Sequence, residues 1–195
     1  MILGIIRGAN KKNIIPVIEA AVAGGLQSIE ITLNSPDAIE MISMASKHFE
    51  IGAGTVLNQK DAKMALEAGA RFIVSPIIDP ETIKYCLENG IIIYPGAVTP
   101  NEVLRAWELG ATMVKIFPVK SFGGPAYIKE LKGPFNQIKL LATGGVTAQN
   151  VKEFFAAGAS AVAIGNSVFN PKLMEAGDFS SIRDKIHEIV NAADL

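Results

Sequence analysis

The chain has 195 residues, 49% of them hydrophobic, and a formal charge of −1 with both signs interspersed. That is enough chain for one compact domain over residues 1–195, and it leaves no basic face for nucleic acid or an anionic membrane. A single cysteine, Cys86, rules out an internal disulfide and any cysteine cluster for zinc or iron and sulfur.

The first apolar run, Ile2 to Ile6, is interrupted at once by Arg7 and Asn10, too soon for a signal sequence or a membrane span, so a cytoplasmic location is expected. Further strand-like runs follow at Ser28 to Leu33, Glu50 to Gly54, Arg71 to Ser75, Ile91 to Tyr94, Thr112 to Phe117, Ile138 to Thr143 and Ala159 to Ile164. Each is followed by a segment of helical period. Asp61 to Ala68 is an example, closed by Gly69, and Gly24-Gly25, Gly90, Gly110 and Gly158 are similar stops. Cys86 falls in such an amphipathic stretch and reads as a packed helix residue. His48 and His187 lie in polar helical patterns and read as surface residues.

Eight strand and helix pairs without a linker predict a parallel sheet, and eight is the number that closes a single-domain (β/α)8 TIM barrel. An open doubly wound sheet is the alternative. The chain is shorter than the roughly 250 residues usual for this barrel, so loops must be short. Poorly covered helix faces then favour a homo-oligomer.

Polar or special residues recur near the strand ends: Arg7, Glu30, Thr55, Ser75, Pro95, Lys115, Thr143 and Gly165, spaced 20 to 28 residues apart. In such a barrel that end carries the active site. Below them, Ile5, Ser28, Ala53, Ile73, Ile93, Met113, Leu141 and Ala163 are expected to fill the interior.

Lys115 stands in the otherwise apolar run Val114-Lys115-Ile116-Phe117-Pro118. Removing an ammonium from water lowers its pKa from about 10.4 towards neutrality, and a neutral amine attacks carbonyl carbon to form a Schiff base. A lysine that merely snorkels to the strand end is the structural alternative. Glu30 lies on the opposite wall, where it either forms a structural ion pair with Lys115 or shares chemistry with it. Arg7 disfavours a second cation beside it, so desolvation and Arg7 oppose Glu30 in setting the amine.

The loops Thr143-Gly144-Gly145-Val146-Thr147 and Ile164-Gly165-Asn166-Ser167 follow strands 7 and 8, the usual phosphate position of this barrel. Bare backbone N–H groups there suit a phosphate or carboxylate.

The motifs Ile5-Ile6-Arg7, Glu30-Ile31-Thr32-Leu33, Gly52-Ala53-Gly54-Thr55-Val56, Ser75-Pro76, Pro95-Gly96, Lys115-Ile116-Phe117-Pro118, Gly133-Pro134-Phe135 and Thr143-Gly144-Gly145 occur in order over nearly the whole chain. Together they resemble the 2-keto-3-deoxy-6-phosphogluconate (KDPG) aldolase family, which includes 4-hydroxy-2-oxoglutarate (KHG) aldolases. The resemblance implies a homotrimeric, metal-free class I aldolase with no cofactor, acting on a small keto acid. It implies Lys115 as the Schiff-base lysine and Glu30 as general acid and base. It also implies Arg7, Thr55, Pro95, Gly96, Phe117 and Thr143 around the pyruvate half, with Gly144, Gly145, Gly165, Asn166 and Ser167 holding a distal phosphate.

The chain departs from the family pattern at two positions. Asn34 stands where well-known members carry an arginine, and Val119-Lys120 stands where many have a small residue and a glutamate. Lys120 adds a cation near the distal end, for a phosphate, a second carboxylate or solvent. The expected reaction is cleavage of KDPG to pyruvate and glyceraldehyde 3-phosphate. The KHG and 2-dehydro-3-deoxy-6-phosphogalactonate reactions are its variants. An epimerase or synthase sharing only the phosphate loops, or a non-catalytic phosphosugar-binding module, is the competing reading.

Overall fold

A computed structural model describes residues 1–193. Strand and helix alternate in chain order: β1 (Ile2–Ile6), α1 (Ile14–Ala23), β2 (Ser28–Thr32), α2 (Ala38–Ala45), β3 (Ile51–Gly54), α3 (Gln59–Glu67), β4 (Phe72–Val74), α4 (Pro80–Glu88) and β5 (Ile92–Tyr94). Then come β6 (Gly96–Ala97), α5 (Pro100–Glu108), β7 (Val114–Ile116), a 3-10 turn (Val119–Phe122), α6 (Pro125–Lys132), β8 (Leu140–Thr143), α7 (Val151–Ala156), β9 (Ala161–Ile164), α8 (Pro171–Ala176) and α9 (Phe179–Ala192).

The strands pair in parallel in the order β5-β4-β3-β2-β1-β9-β8-β7-β6. The two ends of that order are consecutive in the chain, separated only by Pro95, so the sheet closes into a (β/α)8 barrel instead of an open doubly wound sheet. Nine segments replace the eight predicted runs because proline has no N–H for the ladder and divides the fifth strand. Its carbonyl still pairs, accepting from Lys115 N at 2.9 Å.

Short polar side chains start the helices where the sequence supplies them. Asn58 accepts from Asp61 N, Asp79 accepts from Thr82 N ahead of Pro80, and Thr99 and Glu102 form a capping box ahead of Pro100. Each such cap contributes about 1 kcal/mol. After β9 the chain adds two helices, and α9 packs on α1 to complete the outer ring. Their approach requires Gly24, where a Cβ would lie 2.8 Å from Ile186 Cβ. Cys86 is buried in α4, and His48 and His187 are exposed.

Two apolar layers result. Between sheet and helices lie Ile6, Ile29, Ile31, Ile51, Ala53, Ile73, Ile93, Ile116 and their partners. Inside the barrel a separate cluster contains Leu3, Val74, Tyr94, Met113, Leu141, Ala161 and Ala163, with Ile5 and Phe72 against it. Ile5, Met113, Leu141 and Ala163 therefore face inward as predicted, whereas Ala53, Ile73 and Ile93 face the helices.

On β3 to β5 the inward positions are Gly52, Gly54, Phe72, Val74 and Tyr94, one residue out of phase with the prediction. Both faces of these strands are buried, so hydrophobicity alone gives no phase. A Cβ on Gly52 would strike the Phe72 ring, and one on Gly54 would strike the Glu30 carboxylate. Glycine on β3 thus makes room inside the barrel for a ring and for a carboxylate.

Candidate active site

Alternation carries the chemistry upward from this apolar floor. Lys115 is two residues above Met113, Thr143 above Leu141, Gly165 above Ala163 and Arg7 above Ile5. The register agrees: Lys115 pairs with Gly96 and Leu141, Thr143 with Ala163, and Glu30 with Ile5 and Gly52. A cavity of about 620 Å³ opens over this level. It is lined by Arg7, Thr55, Lys115, Phe117, Thr143, Gly144, Gly145, Gly165, Asn166 and Ser167, all anticipated, and by Lys120, Pro76 and Thr147.

Glu30 lies beneath the lining, only 1% exposed, and Lys115 is 6% exposed. Burial pushes the Glu30 carboxyl up to about 7, against the downward pull of Lys115 and Arg7. Burial likewise holds the Lys115 amine below its usual range, with Glu30 opposing and Arg7 adding to the shift. The carboxyl is thereby placed where a general acid and base works near neutral pH. Desolvation thus disfavours the charged form of both groups, although each charge favours the other. Glu30 Oε2 has no hydrogen-bond partner among the described residues, so no protein donor fixes the carboxylate form. Lys115 Nζ stands 5.3 Å from the centroid of the Phe117 ring, which walls the amine on one side.

The remaining anticipated residues take distinct places. Thr55 leaves β3 in a left-handed conformation, φ 58°, and lines the cavity from there. For a β-branched residue that is a strained backbone, of the kind concentrated at functional sites. Pro95 and Gly96 do not line the cavity: Pro95 holds the Lys115 backbone, and Gly96 packs so tightly that a Cβ would strike the Pro76 backbone. Ser75 turns to its own loop, its Oγ accepting from Ile77 N at 3.2 Å. Asn34 lies in a neighbouring hollow with Asp37, Glu40 and Asp61, which meets the Lys115 cavity at Thr55.

A hydroxyl bracket was not anticipated. Gly8 N donates to Ser35 Oγ at 2.9 Å, Ser35 and Thr32 hydroxyls lie 3.0 Å apart, and Thr32 Oγ1 donates to Ile6 O at 3.3 Å. These bonds tie the residues on both sides of Arg7 to the end of β2, the strand that carries Glu30. Across the cavity, Asn150 accepts from Thr147 N and donates to Gly145 O, both at 2.9 Å, which fixes the glycine loop.

Comparison with known proteins agrees with this geometry. The chain is 34% identical over 185 residues to the 2-dehydro-3-deoxy-phosphogluconate aldolase of Pseudomonas aeruginosa, covering 93% of this chain and 84% of that one. It is 34% identical over 182 residues to a probable 2-dehydro-3-deoxy-6-phosphogalactonate aldolase of Rhizobium meliloti, covering 91% and 85%. Among solved structures, KDPG aldolase from Legionella pneumophila, with pyruvate captured as a covalent carbinolamine, superposes with a TM-score of 0.89 at 26% identity, covering 96% and 93%. The family described as KDPG and KHG aldolase matches residues 1–185, and the chain belongs to it.

Proposed function

We propose that the chain is a class I aldolase that reversibly cleaves a 2-keto-4-hydroxy acid, with KDPG as substrate and pyruvate and glyceraldehyde 3-phosphate as products. The observation that carries this reading is the burial of Lys115 in the cavity wall and of Glu30 beneath it, close enough for each charge to act on the other, with each shifted away from its charged form. The relatives named for phosphogluconate and phosphogalactonate substrates support a phosphorylated sugar acid.

The cycle follows from these two groups. The Lys115 lone pair adds to the C2 keto carbon while the Glu30 carboxyl gives its proton to the keto oxygen, forming a carbinolamine. Loss of water leaves a protonated imine. Glu30, now a carboxylate, takes the proton of the 4-hydroxyl, and the C3–C4 bonding pair moves into the imine as the aldehyde departs. The enamine left behind is protonated at C3, and water then hydrolyses the imine to release pyruvate and the amine. Arg7 offsets the substrate carboxylate and steadies Glu30 when it is ionised. Thr55, Thr143 and Phe117 enclose the pyruvate half, while the backbone at Gly144, Gly145 and Gly165 to Ser167 receives the distal anion.

The reading extends to a cytoplasmic homotrimer serving sugar-acid breakdown of the Entner-Doudoroff type. Exposed Ile77, Ile92 and Phe122 support assembly, since they leave apolar surface uncovered in one chain. The test of the activity is pyruvate release from KDPG, read through lactate dehydrogenase. Turnover in the wild type and none in a folded Lys115→Ala variant is expected. A wild-type protein inert towards both KDPG and 4-hydroxy-2-oxoglutarate would contradict the proposal.

A further inference from the structure

Lys120 is a cation for which the fold provides no partner among the described residues. It follows the Phe117-Pro118 corner in the 3-10 turn Val119–Phe122 and is exposed, yet it lines the Lys115 cavity. Its ammonium makes no ion pair or hydrogen bond with the described residues. Its stem is nevertheless placed. A Cβ built on Gly145 would lie 2.8 Å from Lys120 Cβ and Cδ and 3.0 Å from Cγ, so the stem runs flat against the bare face of that glycine. Gly145 has φ 80° and belongs to the loop fixed by Asn150.

The charge of the cavity wall points the same way. Among the described residues its lining contains Arg7, Lys115 and Lys120 and no carboxylate. Arg7 is close enough to Glu30 and Lys115 to affect both, which places it at the chemical end. Lys120 lies against Gly145, in a cavity whose lining also includes Thr147 and the loop of Gly165 to Ser167. Arg7 acts on the Glu30 and Lys115 pair while Lys120 lies on the glycine loop, so the lining offers a separate cation to each anion of a doubly anionic substrate.

We infer that Lys120 is a specificity residue, supplying the charge that binds the distal anionic group of the substrate, a phosphate or a second carboxylate. The assignment rests on the aldolase reading above and deepens it. With only backbone N–H groups a phosphate would be hydrogen-bonded but not neutralised; a lysine on a flexible stem adds the missing charge and adapts to either anion. A charge-assisted contact of this kind at a partly exposed site corresponds to about a tenfold change in binding.

The experiment compares kcat/KM for KDPG, for 4-hydroxy-2-oxoglutarate and for the unphosphorylated 2-keto-3-deoxygluconate in wild type, Lys120→Gln and Lys120→Arg. In Lys120→Gln the preference for one or both doubly anionic substrates over the unphosphorylated one falls about tenfold, through KM. Lys120→Arg restores most of it, and 0.5 M salt narrows the gap between wild type and Lys120→Gln. The anion whose preference collapses identifies the natural one. An unchanged preference, or an equal loss on all three substrates, overturns the assignment. Pyruvate and borohydride on the wild type separate the two readings. Protein that traps pyruvate but shows no effect at Lys120 refutes only the Lys120 assignment, whereas protein that traps none refutes the aldolase reading and with it this one.

Discussion

Replacing Glu30 with glutamine should change how stability depends on pH. In the folded chain the Glu30 carboxyl titrates near 7, against an ordinary value of 4.5. Because the folded value is raised, the native state holds the proton more tightly, and wild-type stability falls as pH rises from about 4.5 to about 7. At about 1.4 kcal/mol per pH unit, the full gap corresponds to about 3 kcal/mol. A glutamine side chain does not titrate, so Glu30→Gln should gain about 2 to 3 kcal/mol on wild type between pH 5 and pH 8.5. Lys115 adds in the same direction. Without the Glu30 charge its folded pKa drops further, so the variant also recovers stability earlier on the alkaline side. Urea unfolding at a series of pH values reads the difference directly. Parallel curves for the two proteins would show that Glu30 is not held desolvated and would remove the basis for its role.

Other substitutions test how the site is positioned. Gly54→Ala has no backbone penalty, since only positive-φ glycines require their freedom, but its Cβ must displace the Glu30 carboxylate. A fall of about 100-fold in kcat is expected, within the range of general acid–base catalysis, and near-normal kcat would place Glu30 outside the mechanism. Ser35→Ala opens the hydroxyl bracket, which should cost about 1 kcal/mol in thermal or urea unfolding and raise KM through Arg7; an unchanged KM would disconnect the bracket from the site. Light scattering should give about three times the 20.7 kDa of one chain, and a single-chain mass would refute the trimer.

The barrel was legible because each strand is an apolar run bounded by glycine or a cap, and such punctuation survives without any knowledge of packing. The inward phase of β3 to β5 was not. When both faces of a strand are buried, Ala53 and Ile73 look as suited to the lumen as Val74 does. The informative residues were the glycines: Gly52 and Gly54 are inward because Phe72 and Glu30 occupy the space a side chain would fill. The division of the fifth strand at Pro95 was not part of the eight-run reading, although the missing N–H that causes it is a property of the residue.

In the site, Lys115 and Glu30 stood out as ionisable groups inside apolar runs, a contrast that needs no structure. Thr55 reaches the cavity by a left-handed turn, and Thr32 with Ser35 braces Arg7 through loop geometry, neither of which follows from residue type. Pro95 and Gly96 were expected at the pyruvate end, but the structure gives them a supporting place under Lys115 and against Pro76.

The proposed cycle depends on Lys115 as its nucleophile. The direct measurement is incubation with pyruvate and borohydride, followed by peptide mass spectrometry. One reduced pyruvate adduct is expected, on Lys115, retained in part by Glu30→Gln and absent from Lys115→Ala. An adduct on another lysine, or none, would contradict it.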